Sequence, residues 1–238
     1  LPGREGYHRE RLEVIQTCLN SLRENADRPL PVMVWDNGSG PDLRAWLLEE
    51  YRPEYLMLSP NVGKASARAA IIRSFPPETV VCISDDDMYF HPGWLRAQLE
   101  LLEHFPNAGQ VSGYPVRTQF RWGTEGTVRW AEANGAKITR GRLIPEAWDR
   151  EFCASIGRDY GRHAWKTQDE VETLIEWQGV RAYATAHHCQ FITVAGRLAN
   201  VTEWNVEAMS DEKTFDKAVD AAGLLRLTTT ERYTQHMG

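Results

Sequence analysis

The sequence predicts an α/β fold in which a mixed, mostly parallel sheet is flanked by helices, and three observations carry that expectation. Strand-like and helix-like stretches alternate three times between Pro31 and Phe105, the pattern of repeated strand–helix units. Three of the strands end in turns at Asp36, Asn61 and Asp85, which a parallel sheet would bring to one edge. Open α/β sheets bind their ligands just beyond such strand ends. Thr79–Ile83 is also a short run of β-branched and small apolar residues, the mark of a strand buried on both faces.

Leu1–Tyr7 reads as a loop, followed by a helix from about Arg9 to Asn25 with Leu12, Ile15, Leu19 and Leu22 at helical spacing. No strand precedes it, so the sequence is expected to lack its natural N-terminus. Pro31–Trp35 forms a strand that ends in Asp36-Asn37-Gly38-Ser39-Gly40, a tight turn since Gly and Asn accept positive φ. Pro41 and Asp42 open a helix through Leu48. Tyr55–Leu58 is a short strand, and after Ser59–Lys64 comes a small-residue helix over Ala65–Ile72. The strand Thr79–Ile83 leads to three consecutive carboxylates, Asp85, Asp86 and Asp87, and then to a helix from Trp94 to Phe105.

Gln110–Val116 is expected as another strand, and Arg117–Arg162 as loops and short strands facing a substrate. Gln168-Asp169-Glu170 is expected to open a helix that carries Val171, Leu174 and Ile175 on one face, with Gly179 ending it. Val180–Ala186 then reads as a strand running into His187-His188, and the tail as a helix over Glu212–Leu225.

At 238 residues, with 42% hydrophobic and 25% charged, the composition is that of a globular chain able to bury a sizeable core. A net charge of −6 argues against an electrostatic grip on nucleic acid. Cys18, Cys82, Cys153 and Cys189 form no C-x-x-C pair, so free thiols in a reducing compartment are expected. No apolar run has the length of a membrane span. The expectation is a cytoplasmic protein, with peripheral membrane contact left open. N-x-S/T triplets at Asn37 and Asn200 carry little meaning there.

Three adjacent carboxylates at a buried strand end repel one another and ionise easily only beside a cation. Hard oxygen ligands of this kind suit Mg²⁺ or Mn²⁺, which keep positions open for phosphates. The plain alternative is a solvated acidic turn that starts the next helix.

The turns taken together resemble one family. Trp35-Asp36-Asn37-Gly38-Ser39 is similar to the V-D-N-G-S turn of family 2 glycosyltransferases of the GT-A fold. Asn61-Val62-Gly63-Lys64-Ala65-Ser66-Ala67-Arg68 resembles their N-x-G-x-a-x-A-R-N stretch. Ser84-Asp85-Asp86-Asp87 with Gly93-Trp94-Leu95 resembles their D-x-D metal motif and its g-W-L sequel. The match of order and spacing makes the combination far more specific than any one motif.

The resemblance implies a single GT-A domain over 1–238, with a nucleotide-sugar half to about 115 and an acceptor half from about 116. It implies a nucleoside diphosphate-sugar donor, a saccharide or other hydroxyl acceptor, a Mn²⁺ or Mg²⁺ cofactor and a hexosyl transfer with inversion. Asp36 would accept from the nucleobase, beside Asn61; its plain role is to cap the turn. Lys64 and Arg68 would approach the nucleotide or phosphates, Asp85 and Asp86 the donor, and Asp87 with Asp85 the metal. His188 or His187 would complete the metal shell, with His236 as competitor. The family also places a catalytic carboxylate in an acidic pair at a helix start. Gln168 replaces its first acid, which leaves Asp169, the preferred base, and Glu170. The rivals are a sugar-1-phosphate nucleotidyltransferase, which would want a Gly-rich basic phosphate loop, and a binding-only homologue.

Overall fold

A computed structural model describes residues 10–199, 201 and 212–238. The expected loop at Leu1–Tyr7 and the triplet residue Asn200 lie outside them. The first helix, α1 (Arg11–Glu24), buries Ile15 and Cys18 as its spacing predicts. Strand β1 (Met33–Asn37) pairs in parallel with β2 (Tyr55–Ser59), and α2 (Pro41–Trp46) with a π-helical turn at Leu47–Tyr51 connects them. Ile15, Val32, Leu43, Trp46, Leu47 and Tyr51 form the core beneath this pair.

The central element is a seven-stranded sheet whose members come from both sides of residue 115. After α3 (Lys64–Arg73) come β3 (Val80–Ser84), the short β4 (Met88–Phe90), α4 (Trp94–His104) and β5 (Ala108–Ser112). Then follow a 3-10 turn at Arg117–Arg121, α5 (Glu125–Ala133), β6 (Lys137–Gly141), α6 (Glu146–Ser155), α7 (Tyr160–Lys166), β7 (Glu172–Trp177) and β8 (Val180–Tyr183). The chain continues with β9 (Gln190–Val194), α8 (Ala195–Ala199), α9 (Glu212–Ala221), β10 (Leu225–Thr228) and β11 (Thr234–His236). The strand order is β3-β9-β5-β10-β8-β7-β6, with β4 and β11 as a separate antiparallel pair.

The sheet is mixed and flanked by helices as expected, but its pairings are mostly antiparallel. Among the described residues, only β5–β10 in the large sheet and β1–β2 outside it are parallel ladders. The reason is that β9 returns between β3 and β5, antiparallel to both, so strands of like direction are not neighbours. Helices cover both faces. On one face Val81 and Ile83 pack with Ile72 of α3, Leu198 of α8 and Val219 of α9. The other holds the larger core, where α4 sets Trp94, Leu101 and Leu102 against Val111, Ile192 and Leu227. Each such fully buried side chain contributes roughly 1.5–3 kcal/mol.

Two stretches differ from expectation. Arg117–Arg162 is largely helical, its short amphipathic helices α5, α6 and α7 docking through few residues each. The helix expected from Gln168 is instead the strand β7, and Gly179 is no helix cap. Gln178 and Gly179 have φ of 50° and 86°, the two positive angles of a tight hairpin turn into β8. Glu172 hides the strand from sequence reasoning, because it is buried at a position where alternation calls for an apolar residue. Arg117 neutralises it there, and the backbone N–H groups of Leu143 and Ile144 donate to it.

Candidate active site

The first two strand-end turns lock onto each other. Asp36 is buried; its carboxylate accepts from the Ser39 N–H at 2.8 Å and from Arg44 Nε at 2.6 Å. Burial opposes its charge, but the hydrogen bonds of Ser39 and Arg44 outweigh that and hold the carboxyl below its ordinary range. Asn37 Oδ1 accepts from the Val62 N–H at 2.8 Å, and Asn61 Oδ1 from Asn37 Nδ2 at 3.2 Å. A Cβ on Gly38, whose φ is +91°, would stand 3.0 Å from the Asn61 nitrogen. Only glycine lets the turns approach this closely. Asp36 thus fills its plain capping role, and Asn61 ties the two turns together.

The acidic triplet follows β3, and its members face different partners. Asp85 receives Lys64 Nζ at 2.6 Å on one oxygen and Arg68 on the other. Both cations sit on one side of α3, and Arg68 is almost wholly buried. Burial opposes the charge of Lys64 and of Arg68, and Asp85 more than restores it. Asp86 and Asp87 are bridged by Arg11 of α1, which the sequence reading did not single out. Asp86 is 55% exposed and Asp87 only 9%.

The partner strand of β4 brings His236 to the far side of Asp87. His236 is paired with Met88 across the β4–β11 ladder, the Met237 N–H donates to the Asp87 carbonyl at 2.8 Å, and His236 Nε2 lies 3.3 Å from Asp87 Oδ2. The other ring nitrogen, Nδ1, faces Ser155 Oγ of α6 at 3.2 Å. Burial would raise the Asp87 carboxyl, but the His236 hydrogen bond and charge, and then Arg11, hold it well below the usual range.

His187, His188 and Cys189 offer ligand atoms within 4.8 Å of one another, and both imidazoles also have hydrogen-bond partners. His187 Nδ1 accepts from the Cys189 N–H at 3.1 Å, so its own proton sits on Nε2 and leaves no lone pair there. Burial, and then His188, push its pKa well below the ordinary value. His188 sits between two carboxylates, with Nε2 2.7 Å from Glu212 and Nδ1 3.1 Å from Asp216. Burial opposes its charge, but these two bonds, Asp216 first, raise its pKa to about 9. In that protonated form His188 donates from both nitrogens and acts as a cation. Burial works against the Glu212 charge too, but His188 and Lys64 hold that carboxyl well below its usual range.

Asp169 is exposed in the turn between α7 and β7, so the helix start that recommended it is not there. Glu170 pairs with Arg121, whose Nη2 also donates to the Lys166 carbonyl. Close by in sequence, Arg117 joins Asp149 and Glu172 in a buried network, and His163 Nε2 lies 3.0 Å from Asp149. That network ties α6 and α7 to the start of β7.

Sequence reasoning missed Arg11, Glu212, Asp216 and Arg226, which lie in stretches with no motif. His236 was visible only as a lone histidine in the last four residues. A mixed α/β sheet with an acidic strand end, gripped by cations from the preceding helix and beside two interlocked strand-end turns, defines a GT-A-type transferase. The glycosyl transferase family 2 model matches residues 7–160, more than half of the chain, and the protein belongs to that family. Glycosyl transfer is therefore its activity. No curated protein gave a match to the sequence. Among the described residues, no helix is long and apolar enough to cross a membrane.

Proposed function

We propose that the protein moves a hexosyl group from a nucleoside diphosphate-sugar to a hydroxyl of a saccharide or similar acceptor, with inversion and with Mn²⁺ or Mg²⁺. The observation that carries this reading is the division of the triplet. Asp85 is held by the cations Lys64 and Arg68, whereas Asp87, two residues on, faces Arg11 on one side and His236 on the other.

The donor set at Asp87 fits the metal. The proton His236 shares with Asp87 would be given up to the ion; with Nδ1–H donating to Ser155 Oγ, the neutral ring would then have Nε2 free as a ligand, and an orienting hydrogen bond of this type is the usual support of a metal-bound histidine. One imidazole with carboxylate oxygens suits Mn²⁺. Asp87 and His236 would hold the ion; when bound, it supplies neutralisation of charge on the departing diphosphate. His236 thus takes the place expected of His187 or His188.

The remaining roles belong to the same proposal. Asp36, fixed by Ser39 and Arg44, and Asn61 present the turn edge to the nucleobase. Lys64 and Arg68 face the phosphates and hold the Asp85 carboxylate toward the ribose or sugar, and Asp86, more exposed, borders the donor. The acceptor oxygen forms a bond to the anomeric carbon while the bond from that carbon to the diphosphate oxygen breaks, its electron pair leaving with the diphosphate. The hydroxyl proton passes to a carboxylate. Of the two candidates Asp169 is the base, because Glu170 is already neutralised by Arg121.

Calorimetric titration of UDP, GDP and dTDP with Mn²⁺, repeated in EDTA, tests the reading. At least one diphosphate should bind, and only with metal, since otherwise it would meet the triplet unshielded. Tight binding that is indifferent to EDTA would overturn the metal-dependent mechanism.

A further inference from the structure

Three cations converge on one carboxylate beside the triplet. Glu212, the first residue of α9, receives Lys64 Nζ at 2.5 Å on Oε1, with Arg68 Nη1 at 3.7 Å from the same oxygen. Its Oε2 receives His188 Nε2 at 2.7 Å. Lys64 and Arg68 come from α3, His188 from the turn before β9, and all three are also held by a second carboxylate. Asp85 takes Lys64 and Arg68, and Asp216 takes His188 while it also pairs with Arg226 at 2.9 Å. Among the described residues, Asp85 and Asp216 are the other carboxylates in ion pairs with these cations.

A carboxylate and a phosphoryl group offer N–H donors the same kind of acceptor oxygen. An anion that left this cradle would strand partly buried cations, so it can be exchanged only for another anion. Resting on the reading of this edge as the donor site, we propose that Glu212 is an internal stand-in for the donor's diphosphate. In the ligand-free protein it occupies the Lys64–Arg68–His188 cradle, and a phosphoryl group displaces it on binding. Donor affinity is then set partly by a competition inside the protein, because only molecules with the cradle vacated bind the diphosphate.

The test is Glu212→Gln, which keeps the size and one acceptor oxygen but removes the competing charge. Binding of UDP, GDP, dTDP and inorganic pyrophosphate is measured by calorimetry with Mn²⁺, beside the corresponding nucleosides. Diphosphates and pyrophosphate should bind about tenfold tighter to the variant, and nucleosides equally to both proteins. Circular dichroism and the melting temperature check the fold, and Glu212→Ser serves where the first variant does not fold. Unchanged or weaker diphosphate binding in a folded variant would overturn the stand-in and make Glu212 a clamp on α9 or a direct donor contact. If the wild type binds no diphosphate at all, the donor-site reading falls with it, so the two failures are distinguishable.

Discussion

The two ends of the acidic triplet are only two residues apart, yet they are built from different parts of the chain. Asp85 is held by Lys64 and Arg68, which lie on one helix about twenty residues upstream, within the same run of motifs. Asp87 is held by Arg11 and His236, drawn from the two extremes of the described chain. The local end was readable, because a strand–turn–helix repeat fixes where its side chains meet. The remote end depended on β11 pairing with β4 and on α1 lying against it, where the Asn25 side chain donates to the Phe90 carbonyl at 2.6 Å. Identical carboxylates therefore acquire separate partners, one set being two cations of a single helix and the other an arginine and an imidazole from opposite ends of the described chain.

The largest expected effect breaks the remote end. Asp87→Asn should lower transfer by roughly 10³-fold, the scale of losing a preorganised charge-stabilising group, while circular dichroism stays native. Comparable loss in Asp86→Asn, measured in the same assay, would show that the exposed middle carboxylate had been misread.

Next in size is the proton acceptor. Asp169→Asn should reduce kcat by roughly 10²-fold, the lower end of what acid–base groups supply, with donor binding retained, and Glu170→Gln should do much less. If neither variant slows transfer, the base lies on another segment, in keeping with the strand that replaced the expected helix.

A smaller effect is expected at the interlocked turns. Asp36→Ala should raise the donor KM by about tenfold and leave kcat and metal affinity nearly unchanged, since uniform binding is what it would remove. A fall in kcat at constant KM would assign Asp36 to the chemistry instead.

The smallest expected effect is on stability and involves His188. A folded-state pKa of about 9 against an ordinary 6.5 means that the folded protein holds this proton more tightly. The stabilisation is complete below pH 6.5 and disappears as pH rises through about 9. The melting-temperature gap between wild type and His188→Gln should accordingly be widest in mild acid and close in alkali. A gap that widens with pH would contradict the double carboxylate grip.

These comparisons also show why the sequence was readable in part. Through β5 each strand–helix unit is local, so hydrophobic period and turn residues set the elements, and the interlocking of Gly38 with Asn61 follows from its glycine. Beyond β5 the decisive contacts are long-range. Glu172 is buried because Arg117 lies across from it, and β9 slides between β3 and β5, which no local pattern announces. The Gln178-Gly179 turn permits a helix end or a hairpin alike, and strand pairing decides between them. Glu212 and Arg11 lie in stretches that read as ordinary helix charge until folding brings them to the triplet.

The central claim is that Asp87 and His236 form the metal end of the site while His188 belongs to the cationic end. Mn²⁺ binding in the presence of the diphosphate that binds, followed by electron paramagnetic resonance of free Mn²⁺, tests it in wild type, His236→Gln and His188→Gln. The account predicts that His236→Gln weakens Mn²⁺ binding at least tenfold, as loss of a ligand or its support does, and that His188→Gln keeps its metal. Loss of Mn²⁺ in His188→Gln with His236→Gln unaffected would contradict it.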